Sequence, residues 1–253
     1  MKPSRQDNRG SAQRSGVLAF GDSITNGGGE LQWGVALQSW ALWVARGLGL
    51  PYMGFAVDGA RVEDVVDEQL RAFEQRTADP VARYDLGCLY IGVNDVRGLD
   101  WDAARFEAGF RRALAFLAER CDRVLAPTAP LDLGRPRAGR KVRDLNAVIE
   151  RTAAEHGALV LDLSGWGARN LVMADHVHPT AFGQIAIAER ALTLLERDGM
   201  RVAVRPSALV RYETTPWGRL RSDATYAYRH LKTNARALAV TARLRLAAPR
   251  SPR

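Results

Sequence analysis

A chain of 253 residues accommodates one α/β domain with an appendage, and 47% apolar residues suffice for a sizeable core. No run of eighteen apolar residues occurs, so no transmembrane helix is expected, and the polar, basic residues 1–16 lack the apolar stretch of a secretory leader. The net charge of +8 is segregated as +10 in residues 200–253, +3 in residues 1–15 and −5 in residues 16–199, so basicity describes an appendage rather than a cleft.

Residues 1–15 read as a disordered lead-in. From there to residue 199, five apolar runs alternate with helix-like segments. Strands are expected at 16–21, 51–57, 86–92, 122–127 and 158–163. Helices are expected at 33–48, 61–77, 102–120, 140–156 and 180–198. Phe106, Phe110, Leu114 and Leu117 recur with the helical period, as do Val62, Val65, Val66, Leu70 and Phe73. Strands alternating with helices imply a three-layer α/β/α domain around a five-stranded parallel sheet. A flavodoxin-like order, 2-1-3-4-5, places the loops after strands one, two and three together at the carboxyl edge, where such sheets bind ligands.

Beyond residue 199 the pattern changes. Residues 201–221 are irregular. Residues 223–247 suit a helix, with Ala224, Tyr228, Leu231, Ala235, Leu238 and Ala242 forming a narrow apolar stripe among Arg and Lys. Docking on the body or on a second copy, as a homodimer, and peripheral contact with anionic lipid both fit this stripe. No recognised nucleic-acid module accompanies the charge, so no nucleic acid is expected. Cys88 and Cys121 read as free thiols of a reducing cytoplasm, with a disulfide between them as the alternative.

The chemistry lies in three loops. Ser23 follows the first apolar run, in Gly21-Asp22-Ser23-Ile24; Gly92-Val93-Asn94-Asp95 follows the third; Asp175-His176-Val177-His178-Pro179 precedes the last helix of the body. A serine hydroxyl needs a base, and His178 suits the task near neutral pH. Asp175, three residues earlier, is placed to orient the imidazole. The amides of Ser23 and Gly59 and the side chain of Asn94 are the donors available for an oxyanion, and Gly59 lets backbone approach closely.

These blocks, in this order, resemble the SGNH hydrolases, also called the GDSL esterase/lipase family, over residues 16–199. The resemblance implies that Ser23 is a nucleophile, His178 its base, Asp175 the partner of His178, and Gly59 with Asn94 the oxyanion hole. It implies hydrolysis of carboxylic esters or thioesters, with acyl transfer and sugar deacetylation as variations. Ile24 replaces the usual Leu. Gly54 stands where the second block often begins with Asn, which removes a side-chain hydrogen bond that would brace the loop. The serine is not in the Gly-x-Ser-x-Gly elbow of α/β-hydrolases.

Plainer readings stand beside these. Ser23 alone suits a helix cap, and Asp22 and Asp95 suit turn acceptors. His176 and His178 space like a metal pair, but His156 and His230 lie elsewhere, so neither metal nor organic cofactor is expected. Trp40 and Trp43 fit a core. Trp33, beside the serine loop, and Trp101, after Asn94, are candidates to line an acyl pocket. Arg135, in the basic loop 134–143, is a candidate for an anionic substrate group, against a merely solvated loop. The expected protein is a cytoplasmic serine esterase acting on a small-molecule acyl ester. Its rivals are an acyltransferase with the same site, and a membrane- or partner-binding protein acting through the basic tail.

Overall fold

The computed structural model describes residues 15–77 and 82–247. Strands β1 (Val17–Gly21), β2 (Tyr52–Gly54), β3 (Leu86–Tyr90), β4 (Val124–Pro127) and β5 (Leu159–Leu161) form one parallel sheet in the order β2-β1-β3-β4-β5. Every residue of β1, β3 and β4 is buried, which is why these runs are continuously apolar rather than alternating. The sheet order and the three layers are those the chain's pattern implied.

Helices α2 (Trp40–Leu48) and α8 (Ala181–Arg197) pack against each other on one face. They approach closely at Gly47, where an added Cβ would stand 2.4 Å from Leu192. The other face carries α6 (Ala103–Arg120), α7 (Lys141–Glu155) and a composite helix. That helix runs from α3 (Val62–Asp64) through a π-helical segment, Val65–Gln69, into α4 (Leu70–Arg76). Under it, Phe20 stacks on Phe55 at 5.5 Å, and Phe73 meets Phe116 edge-on at 5.5 Å.

Local chemistry sets the helix ends. Asp102 Oδ1 accepts from the amides of Ala104 (2.9 Å) and Arg105 (3.0 Å), and Thr180 Oγ1 from Gly183 (3.1 Å). The helix expected at 33–48 starts only at Trp40. Ser39 caps it, accepting from the Ala41 amide at 3.1 Å, while Trp33 (φ 49°) and Gly34 (φ 78°) hold the preceding segment in left-handed turns. Two short helices escaped the pattern because one turn carries no period: α1 (Ser23–Asn26) and α5 (Val93–Arg97).

After α8 the chain returns along α2, with the amides of Ala203 and Val204 donating to the Gly47 carbonyl (2.8 and 3.1 Å). It passes a 3₁₀ turn, Pro206–Leu209, and enters α9 (Pro216–Ala247). The tail helix thus begins earlier than the apolar stripe indicated. Pro216 occupies its first turn, where no amide is needed, and Thr215 Oγ1 accepts from Gly218 at 3.0 Å. Cys88 and Cys121 are unbonded and buried, and burial pushes the Cys121 thiol up to about 12. Among the described residues no helix is long and apolar enough to cross a membrane. The lead-in at residues 1–14 lies outside the described residues.

Candidate active site

Three loops meet at the carboxyl edge of β1, β2 and β3. β1 ends at Gly21, whose φ of 148° is open to glycine; a Cβ there would stand 2.3 Å from the Tyr90 carbonyl oxygen of the neighbouring strand. Gln69, at the end of the π-helical segment, grips this point through both amide atoms. Its Oε1 accepts from the Gly21 amide (3.0 Å) and its Nε2 donates to the Gly21 carbonyl (2.7 Å). Asp22 then caps α1, its Oδ1 accepting from the Ile24 amide at 2.9 Å. Ser23 is the first residue of α1.

Gln184 of α8 anchors that turn from the other side. Its Nε2 donates to the carbonyls of Ile24 (2.9 Å) and Gly28 (3.1 Å), and its Oε1 accepts from the Trp40 amide (2.8 Å). Trp40 Nε1 donates to Thr25 Oγ1 at 3.2 Å. Every polar bond of this buried amide therefore serves to hold the serine turn against α2 and α8.

The His178 loop is organised by Asp175. Its Oδ1 accepts from the amides of Val177 (2.9 Å) and His178 (3.1 Å), while Oδ2 is 2.7 Å from His178 Nδ1. This orientation leaves Nε2 of His178 2.9 Å from Ser23 Oγ. The loop after Ser23 runs beside the His178 loop: the Ala181 amide donates to the Glu30 carbonyl at 2.9 Å, and Gly29 passes so close to the Pro179 carbonyl that a Cβ would stand 2.1 Å away.

The third side is formed by Gly59 and Asn94. Gly59 takes a φ of 79°, with nothing within 4 Å of an added Cβ. Asn94 Nδ2 donates to the Ala60 carbonyl at 3.0 Å, which ties the Gly59 loop to α5 and, among the described residues, leaves the second amide hydrogen of Asn94 uncommitted. Asp95 Oδ1 accepts from the Val62 amide at 3.1 Å, a second tie between these loops. Among the described residues, neither the Ser23 nor the Gly59 amide donates to a protein acceptor.

The electrostatics favour a charged Asp175 beside a readily protonated His178. Burial opposes charge on Asp175, but the His178 hydrogen bond and the Val177 and His178 amides outweigh it and hold the carboxyl below its usual range. The same Asp175 bond raises His178 above the ordinary histidine value, against partial burial. Asp22 is different. Full burial pushes it up to about 7 despite the Ile24 amide, and its Oδ2 has no hydrogen-bond partner among the described residues. Burial likewise pushes Asp95 up to about 6.

A model of the GDSL-like lipase/acylhydrolase family matches residues 19–185. The chain belongs to that family. The matched span includes every residue of the hydrogen-bonded group just described, and ends before the tail. None of the curated proteins is similar enough in sequence to match.

As a fold, this GDSL family member is similar to several solved structures. LAE5, an alpha/beta hydrolase enzyme from the metagenome of Lake Arreo, Spain, aligns with 21% identity and a TM-score of 0.56, over 72% of this chain and 95% of that one. The acetylxylan esterase Axe2 from Geobacillus stearothermophilus aligns with 22% identity and a TM-score of 0.54, over 72% and 94%. A lipase/acylhydrolase from Enterococcus faecalis aligns with 21% identity and a TM-score of 0.55, over 74% and 96%.

The family member's other candidate residues are dispersed. Trp33 packs with Phe182 and Tyr212 and lines a cavity of about 260 Å³ between the 30–33 loop, the 169–174 loop and α9. Trp101 packs on Phe106 beside Arg61 and Asp95. Arg135, with only 9% of its side chain exposed, pairs with Asp132 (2.9 Å) and lies against the His176 ring. None of the three hydrogen-bonds to Ser23, Asp175 or His178. Gln69 and Gln184 had no sequence signal: each acts on a partner 48 or more positions away.

Proposed function

We propose that this protein is a serine esterase that cleaves carboxylic esters or thioesters through an acyl-serine intermediate. The observation that carries the reading is the unbroken relay from Ser23 Oγ to His178 (2.9 Å) to Asp175 (2.7 Å). In the first step His178 Nε2 takes the Ser23 proton as Oγ attacks the acyl carbon. Asp175 stabilises the imidazolium, in keeping with the raised affinity of His178 for a proton.

The oxyanion then lies against the Ser23 and Gly59 amides and the free hydrogen of Asn94. These donors are held in place before the reaction, so no reorganisation is needed as charge develops. His178 returns its proton to the leaving alcohol or thiol. It next takes a proton from water, which attacks the acyl carbon, releases the acid and restores Ser23. His178 retains 30% side-chain exposure, which leaves a path for that water.

The test is hydrolysis of p-nitrophenyl esters from acetate to palmitate, with active-site labelling by a fluorophosphonate. Turnover and label should both vanish in Ser23→Ala while the fold persists. A folded wild-type protein that neither turns over any ester nor takes the label would refute the reading. Product analysis with added alcohols separates water from an alcohol as acyl acceptor.

A further inference from the structure

The tail helix α9 has two faces of opposite character. Its inner face is engaged with the body. Asp223 pairs with Arg169 at 2.5 Å, Arg229 pairs with Glu30, His230 lies 5.6 Å from the His176 ring, and Ala237 is buried. The opposite face carries large apolar side chains in the open. Trp217, Leu231 and Leu238 are 72%, 71% and 72% exposed, and Leu220 and Tyr228 lie in line with them. Alanines at 224, 235 and 242 complete the stripe.

At 3.6 residues per turn, Arg221, Lys232, Arg236 and Arg243 run along one flank of this stripe. None of the four has an acidic partner among the described residues. The helix as a whole carries seven basic residues and one acidic residue, and that one, Asp223, is already paired with the body.

We infer that the outer face of α9 is a docking surface for an anionic phospholipid bilayer. The apolar stripe enters the headgroup region and the unpaired flank lies against the lipid phosphates. Trp217 and Tyr228 are residue types suited to that interface, with apolar rings and polar edges. A second copy of the chain is the competing occupant, and charge argues against it. Two such helices would set arginine against arginine with no free carboxylate between them. The apolar spacing runs 3, 4, 4, 3, 4, 3, 4, which keeps a heptad from Ala224 to Ala242, but three of those six positions are alanine and give a second helix little apolar volume to pack against. The inner face of the same helix touches His176, two residues from His178, so membrane contact would be made directly above the loop that carries the proposed base.

The experiment uses the full-length protein and extruded vesicles, one set of pure phosphatidylcholine and one with a quarter phosphatidylglycerol. Co-sedimentation should show at least tenfold stronger partition onto the anionic set, weakening as salt is raised. Tryptophan fluorescence should shift to the blue on binding. The double variant Leu231→Glu, Leu238→Glu should lose at least tenfold in partition with its thermal melt unchanged, as should Lys232→Glu, Arg236→Glu. Equal binding to both vesicle sets, no binding, or binding that survives both variants would overturn the inference. So would a dimer in sedimentation equilibrium that Leu231→Glu dissolves while vesicles stay unbound.

Discussion

Gln184 Nε2 donates to the carbonyl of Ile24 at 2.9 Å, across 160 positions of chain, and so fastens the one-turn helix of Ser23 to the last helix of the body. The same side chain accepts from Trp40 and donates to Gly28. Removing it leaves the buried Trp40 amide and the half-buried Gly28 carbonyl without that partner, each costing about 1–3 kcal/mol, and leaves the Ile24 carbonyl only the longer bond from the Gly27 amide at 3.4 Å.

Gln184→Leu is therefore expected to lower stability by about 3 kcal/mol, read as a reduced urea midpoint at constant slope. Ester turnover should fall as well, measured well below the midpoint, because the Ser23 turn loses its brace. Unchanged turnover in the destabilised variant would show that α1 holds Ser23 in place without Gln184.

Asp175→Asn keeps an oxygen for the Val177 and His178 amides but removes the acceptor for His178 Nδ1–H. The loop should hold while the imidazole adopts the wrong tautomer. Turnover is expected to fall by about 10³–10⁴, with the melting temperature moved by only a few degrees. A loss of under tenfold would mean that Asp175 organises the loop and takes no part in the proton transfer.

The pH profile follows from His178. On the proposed mechanism activity needs the neutral imidazole, and the Asp175 bond raises its proton affinity. In wild type, kcat/KM should rise with pH through a midpoint above the ordinary histidine value of 6.5. In Asp175→Asn the residual activity should rise at lower pH. The linked stability has a definite sign. With its folded pKa raised, His178 contributes stability that is present below 6.5 and lost as pH rises through the folded value. A midpoint identical in the two proteins would show that another group controls the profile.

Asp22 is the converse case. Its carboxyl is pushed from 3.8 up to about 7, so the folded state holds a proton that the unfolded chain releases. Its contribution is greatest below about 4 and is lost as pH rises towards about 7, which lowers stability over that interval. Asp22→Asn retains the acceptor for Ile24 and should remove this fall, seen as a flatter dependence of the denaturation midpoint between those pH values. The same slope in wild type and variant would assign the titration elsewhere.

Asn94→Ala removes one proposed oxyanion donor and also the tie to the Ala60 carbonyl. A loss of about 10²–10³ in kcat with little change in KM is expected, because the donor acts on charge present only in the transition state. A rise in KM at constant kcat would place Asn94 in ground-state binding instead.

Much of this protein was legible in its sequence because the determining signals are local. Continuous apolar runs separated by amphipathic helices can only make a buried parallel sheet covered on both faces. Asp175 and His178 lie within one turn of each other, so their pairing is set by three residues of chain. What the sequence did not contain was anything depending on distant partners. One-turn helices such as α1 have no period to detect, and Trp33 left its expected helix because Ser39, six residues on, offered the better cap. The grips of Gln69 on Gly21 and Gln184 on Ile24, the burial that shifts Asp22, and the two opposed faces of α9 arise only when packing brings separate segments together. Hydrogen-bond partners and the cost of desolvation belong to the assembled structure, whereas periodicity and short-range spacing are already present in the unfolded chain.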